Sequence, residues 1–281
     1  MLIVGDKNQA IYSFAGCEAD SMDLLKEKFN CIELPLSICY RCGKSIIREA
    51  QKYVPEIEAW ENSPEGSVTT IPYNDFVSSL PTLGLSNKDG IICRNNAPNV
   101  SLAFALIRAG IGCHIEGKEI GKNLITLCNK WKVNDLATFC NRISTYFDRE
   151  MEKVKGSRLQ ALEDKLETIV ILIERCQSLG KHTVYDLKTL IEQMFQDVAD
   201  GTAPNVVTLS SIHKAKGLEF ERVFEIGSSQ LIPSKYATTE HALEQERNLN
   251  FIATTRAQSE LIQVTDIPSR SDKNKNTDDE A

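Results

Sequence analysis

The chain has 281 residues, 42% apolar and 25% charged, an ordinary globular composition with enough length for one large domain or two smaller ones. No apolar run approaches the ~20 residues of a membrane span, and the first residues lack the basic, greasy and small-residue segments of a secretory leader. The formal net charge of -7 provides no global field to attract nucleic acid, so any such contact must come from a local groove. Nine cysteines scattered among apolar positions, as at Cys93, Cys128, Cys140 and Cys176, suit a reducing compartment better than a disulfide framework. A cytoplasmic chain is expected, including a viral or phage protein acting in a host cytoplasm.

In chain order, Leu2-Ile3-Val4 running into Gly5-Asp6 reads as a buried strand feeding a loop. Asp23 to Phe29 reads as a helix, Ile32 to Leu34 as a strand, and Ser45 to Val54 as a helix with Ile46, Ile47 and Ala50 on one face. Ser67 to Ile71, Gly90 to Arg94, a helix from Val100 to Ala109 stopped by Gly110, and Gly112 to Glu116 continue the alternation. This is the pattern of a parallel α/β sheet. From about Asn134 to Ala199 strand signals vanish. There Leu159, Leu162, Leu166, Ile169, Ile173 and Cys176 follow three- and four-residue steps, the seam of a helical hairpin that either packs internally or meets a partner. After Gly201 the alternation returns with Val206 to Leu209, Val223 to Ile226, a helix from about Ala242 to Ala257 and a strand Leu261 to Val264. The helical block reads as an insertion into one sheet domain, and the polar tail from Pro268 is expected to be disordered.

Ligands of open parallel sheets bind beyond the carboxyl ends of strands, which directs attention to the loops after Val4, Leu34, Leu209 and Ile226. In Val4-Gly5-Asp6-Lys7-Asn8-Gln9-Ala10-Ile11-Tyr12-Ser13-Phe14-Ala15-Gly16, the Gln9 amide both donates and accepts. If the segment is extended, Tyr12 and Phe14 project the same way, either to hold successive bases or as half-buried strand aromatics. Tyr40-Arg41 suits a nucleotide, ring on base and guanidinium on phosphate, or else forms a structural pair at a helix start. Ser210-Ser211-Ile212-His213-Lys214-Ala215-Lys216-Gly217-Leu218-Glu219-Phe220 gathers a histidine, two lysines, a glycine and a carboxylate suited to ribose hydroxyls, a mixture that favours function. Glu246-Arg247 and Ala253-Thr254-Thr255-Arg256-Ala257 share a helix whose last arginine either reaches a phosphate across a cleft or makes a surface ion pair.

These segments together resemble the UvrD/Rep family of superfamily 1 DNA helicases. Val4 to Gly16 is similar to motif III, Tyr40-Arg41 to motif IV, Val207 to Phe220 to motif V, and Glu246 to Ala257 to motif VI, in the family's order. Ala105-Leu106-Ile107-Arg108-Ala109-Gly110-Ile111 resembles its helix-to-strand step before an inserted subdomain. The resemblance implies a RecA-like parallel-sheet lobe, the C-terminal motor domain of a P-loop NTPase helicase, with an inserted helical subdomain. It implies that residues 1–31 are a remnant of the first lobe, 32–133 and 201–267 the two parts of the second lobe, 134–200 the insertion and 268–281 the tail. It further implies that Gln9 senses the terminal phosphate, that Tyr40 stacks on adenine, that Arg41 and Arg256 touch the γ-phosphate and that Glu219 meets the ribose. Tyr12, Phe14, His213 and Lys214 would contact single-stranded DNA. The implied activity is ATP-dependent 3′ to 5′ translocation or unwinding, in the setting of DNA repair or replication.

The sequence departs from the family at Ala15, where many relatives carry arginine, and at Cys39 and Cys42, which flank Tyr40-Arg41. The resulting Cys-x-x-Cys has no second pair of matching spacing, so neither a metal site nor a redox role is expected. Gly43-Lys44-Ser45 copies the end of a phosphate-binding loop but has Ile38 where the pattern needs glycine, which argues against a small P-loop kinase. No Gly-x-x-x-x-Gly-Lys-Ser/Thr occurs, nor an apolar strand ending in Asp-Glu. ATP with Mg²⁺ would therefore need first-lobe residues upstream, on the same gene or a separate chain, and the expectation is a chain inactive alone. The alternative is a non-catalytic single-stranded-DNA-binding or partner-binding module.

Overall fold

The computed structural model describes residues 2–12, 21–195 and 206–268. Helix α1 (Ser21–Phe29) is followed by strand β1 (Ile38–Cys39), helix α2 (Lys44–Ala50) and strand β2 (Glu58–Ala59), with β1 and β2 paired in parallel. Next come β3 (Ser67–Pro72), α3 (Tyr73–Ser79), β4 (Asp89–Cys93), α4 (Asn96–Arg108) and β5 (Gly112–Ile115). Four helices succeed one another, α5 (Lys118–Cys128), α6 (Leu136–Met151), α7 (Ser157–Ser178) and α8 (Val184–Met194). The chain then returns through β6 (Val206–Ser211), α9 (Ile212–Ala215), β7 (Phe220–Ile226), α10 (Ser228–Leu231), α11 (Glu240–Thr254) and β8 (Ala257–Thr265). Strands β3 to β8 form one parallel sheet in the order β3-β8-β7-β4-β6-β5. This is the mixed α/β fold, with a six-stranded parallel sheet, expected of a RecA-like helicase C-terminal lobe.

Strand β4 lies inside the sheet and is buried at every residue, which is why Ile91-Ile92-Cys93 is a continuous apolar run rather than an alternating one. The pleat sends Ile91, Cys93, Phe224 and Ile226 to a core shared with α3, α4 and the four-helix group. Ile92, Val223 and Leu261 face the opposite side, packing with Ile46 and Ile47 of α2 and with Leu249 and Ile252 of α11. On α7, Ile169, Ile173 and Cys176 are buried and Leu162 and Leu166 partly so; the seam therefore packs internally. A Cβ at Gly90 would fall 2.4 Å from the Phe220 ring, so glycine on β4 makes the space that this aromatic fills.

Two expected strands do not form among the described residues. Leu2 and Val4 are 88% and 75% exposed, and Ile32 and Leu34 are 89% and 81% exposed; neither segment pairs with another strand. An apolar run becomes a strand only where a neighbour takes its backbone hydrogen bonds, and here the pairing falls to Ile38–Cys39 instead. The helical run opens at Lys118, before the expected Asn134. The expected tail lies almost wholly outside the described residues.

Candidate functional site

At the N-terminal ends of β7 and β8, Arg41, Glu219 and Arg256 converge. Arg41 Nη2 pairs with Glu219 Oε1 at 2.5 Å, and Arg41 Nη1 reaches the Thr255 carbonyl at 3.5 Å. Arg256 is 3% exposed. Its Nε donates to Ile252 O at 3.1 Å, its Nη1 to Leu218 O at 3.0 Å and its Nη2 to Thr255 Oγ1 at 3.4 Å. A guanidinium has five N–H donors, so this one retains donors for a further acceptor. Burial first, and then the neighbouring Arg41, push the Arg256 pKa below its usual range; an anion placed against both cations would relieve that repulsion. Tyr40 stands beside this cluster, 69% exposed, its ring 5.8 Å from that of Trp60. Trp60 follows β2 and donates its backbone N–H to Cys39 O at 3.0 Å.

A second group lies at the carboxyl end of β6. Lys7–Gln9 forms a 3-10 turn capped by Asp6, and the Gln9 amide donates to Asp6 Oδ2 at 2.6 Å. Lys216 Nζ donates to Gln9 O at 2.9 Å, and Asn248 Nδ2 donates to Lys7 O at 3.0 Å and Ala10 O at 3.1 Å. Ile11 is buried in the α2/α11 core. The Tyr12 hydroxyl donates to His213 O at 2.8 Å, with the two rings 6.2 Å apart, and Lys216 lies over the Tyr12 ring at 5.4 Å. Gln9, Tyr12 and His213 are thus brought together, and the exposed Lys214 pairs with Glu119 of α5. Burial, with help from Arg94, drives His213 down to about 3, so its ring is neutral at physiological pH. Phe14 lies outside the described residues.

Beyond the carboxyl end of β4 lies a polar network with no local signature in the sequence. Arg94, just beyond β4, holds Glu246 of α11 through Nη2 at 2.8 Å and Nε at 3.3 Å. Glu246 also accepts the Ser234 N–H at 3.0 Å, and Ser234 Oγ and Arg94 Nη2 both reach Gln160 of α7. The pair is 13% and 8% exposed and joins the end of β4 to α11, while Gln160 brings in the four-helix group. Sequence reasoning had counted Lys216 among the two lysines of the 210–220 loop but missed Asn248, Trp60 and Arg94; of these only Asn248, one helical turn before Phe251 and Ile252, had a signal, a polar residue set in the apolar face of its helix.

Gly43-Lys44-Ser45 does not cradle phosphate. Its three amides donate to Gln258 O, Pro64 O and Glu65 O at 2.8–2.9 Å, which leaves none for an anion. A Cβ at Gly43 would meet the Gly66 backbone at 3.0 Å, so the glycine serves a close chain crossing. Among the described residues no group of three His, Cys, Asp or Glu side chains could hold a metal ion, and no helix is long and apolar enough to cross a membrane.

Residues 129–265 match the family model of the UvrD-like helicase C-terminal domain. Over 127 residues the chain is 32% identical to the ATP-dependent DNA helicase PcrA of Staphylococcus epidermidis, covering 44% of this chain and 17% of that protein. PcrA of Staphylococcus aureus is 37% identical with the same coverage. The ATP-dependent DNA helicase UvrD2 of Mycobacterium tuberculosis is 22% identical over 300 residues, covering 93% of this chain and 43% of the relative. The chain thus spans less than half the length of these relatives. With the parallel sheet, these matches support a likeness to the C-terminal part of UvrD-type superfamily 1 helicases.

Proposed function

We propose that this chain is the second motor lobe of an ATP-dependent 3′ to 5′ DNA helicase or translocase, completed by a first lobe that carries the P-loop and the Mg²⁺ ligands. One observation supports the reading above others: Arg41 and Arg256 meet at Thr255, beside Glu219 and an exposed Tyr40 ring. Tyr40 would stack on adenine, and Glu219 would accept ribose hydroxyls. Arg41 would exchange the Glu219 carboxylate for terminal phosphate oxygens, while Arg256 would use its remaining N–H groups. Gln9 would sense the same phosphate, and the hydrogen bonds from Asn248 and Lys216 would carry its displacement to Tyr12 and His213 on the DNA side, with Phe14 and Lys214 adding contacts to the strand. Exposed Leu2, Val4, Ile32, Leu34 and Leu36, all at least 75% exposed, form apolar surface suited to cover by a first lobe. Residues 134–200 would be the family's inserted subdomain.

The test is binding of a fluorescent oligothymidylate, followed by anisotropy, with and without a non-hydrolysable ATP analogue and a supplied first lobe. The motor reading predicts affinity that falls with salt and shifts with nucleotide, the nucleotide response vanishing in Arg41→Ala. The rival reading is a non-catalytic single-stranded-DNA-binding or partner-binding module. It predicts affinity that nucleotide leaves unchanged.

A further inference from the structure

Glu225 has no part in either group described above. Val223, two residues earlier on β7, packs with α2 and α11, so strand alternation turns Glu225 to the same face, opposite Gln263 of β8. It is 2% exposed, at a depth where carboxylates are rare unless paired. Ser228 Oγ donates to its Oε1 at 2.5 Å, and its Oε2 has no partner among the described residues. Nor has Oδ1 of Asn250 on α11, also a buried atom. Both residues line one cavity of about 210 Å³ at the carboxyl ends of β7 and β8, with Tyr53, Ile232 and Val264 as its apolar wall. The guanidinium cluster lies at the other ends of the same two strands.

We propose that this cavity binds an alkylammonium group, its N–H donors received by Glu225 Oε2 and Asn250 Oδ1 and its methylene chain laid against Tyr53, Ile232 and Val264. Two buried acceptors without donors each carry a desolvation cost, and a ligand that brings N–H groups removes it. A cation serves the carboxylate best, because a charge-assisted hydrogen bond is roughly twice as strong as a neutral one. Among the described residues Glu225 is the one carboxylate on the cavity wall, which suits a single positive charge. With about 30 Å³ for each water-sized group, the space takes a chain of roughly five to seven non-hydrogen atoms. The electrostatics agree. Burial, only partly offset by the Ser228 hydrogen bond, and then Glu49 of α2 push Glu225 up to about 7. Glu49 is itself paired with Lys52, and Tyr53, just beyond α2, is raised to about 12 by burial and stays neutral. An ammonium against Oε2 would favour the ionised carboxylate, so binding below neutrality should expel a proton. None of this rests on the motor reading.

The full chain is titrated calorimetrically with n-butylammonium at about pH 8, where Glu225 is ionised, and with n-butanol as the neutral analogue. The amine should saturate one site per chain and the alcohol should not. Glu225→Gln, which keeps the side chain's size and its bond from Ser228, should weaken the amine by about tenfold or more. At about pH 6, titrations in two buffers of different ionisation heat should show proton release by the native chain and none by Glu225→Gln. Nα-acetyl-lysine methylamide separates two sources of the group: its binding marks a lysine side chain of a partner polypeptide, and binding of butylammonium alone marks a free amine. An amine that binds no tighter than n-butanol, a native chain that releases no proton, or a Glu225→Gln chain that binds the amine as the native one does overturns the proposal.

Discussion

Replacing Glu246 by alanine should destabilise the protein by about 3–5 kcal/mol, the cost of leaving a buried ion-pair partner uncompensated. The structure sets the scale. Arg94 and Glu246 are 13% and 8% exposed, so the guanidinium left behind could not be fully rehydrated, and the Ser234 N–H would lose its acceptor as well. That is a large fraction of the ~5–15 kcal/mol that holds a typical domain together. In urea, with a slope of about 3 kcal/mol per molar, the midpoint should fall by about 1–2 M with the slope unchanged. Glu65→Ala is the control, because the Arg48–Glu65 pair is 59% and 62% exposed and is screened by water; its midpoint should stay in place. Arg94→Met combined with Glu246→Leu should recover most of the loss, since apolar residues of similar size often replace a buried pair without penalty. A Glu246→Ala midpoint no lower than that of Glu65→Ala, or a double variant as weak as the single one, would refute the reasoning.

Further predictions concern other parts of the fold. Glu225, 2% exposed, is raised by burial from 4.5 to about 7. Between those values the folded chain holds a proton that the unfolded chain has released, so this group's own contribution to stability falls as pH rises through the window, by about 3 kcal/mol. His213 is shifted the other way, from 6.5 to about 3, so its contribution rises with pH between those values and offsets that of Glu225 where the two windows overlap; in urea titrations Glu225→Gln should expose the rising limb and His213→Gln the falling one, and a variant whose profile matches that of the native chain would contradict its assignment. Asn248→Ala should speed hydrogen exchange at Gln9 and Ala10, whose N–H groups close the 3-10 turn, while α4 exchanges as before. Asp164→Ala should cost about 1 kcal/mol and loosen the first turn of α4, measured by the same exchange experiment.

The extent of α4 shows what was legible and what was not. Its apolar face from Val100 and its stop at Gly110, a residue with φ of 75°, were readable, because both signals are local. Its start at Asn96 was not, because the cap comes from Asp164, whose carboxylate accepts from the Asn96 and Ala97 N–H groups across the helical block. Strands β1 and β2, two residues each, carry too little pattern to announce themselves, whereas Leu2–Val4 and Ile32–Leu34 had the pattern without a partner. The same distinction applies to the site. The carboxyl-end rule led to α9 and His213, but the guanidinium cluster sits at the N-terminal ends of β7 and β8, and only resemblance to a family had linked Arg41 with Arg256. Their meeting depends on Thr255 and on the strand order, which no run of neighbouring residues records.

The most direct test of the motor account is ATP hydrolysis by the chain mixed with a P-loop-bearing first lobe supplied as a separate polypeptide, in the presence of single-stranded DNA. The account predicts no turnover by the chain alone, DNA-stimulated turnover by the mixture, and a loss in kcat on the order of 10³-fold or more for Arg41→Ala, as for an arginine finger. Turnover by the chain alone, or a mixture indifferent to Arg41→Ala, would contradict it.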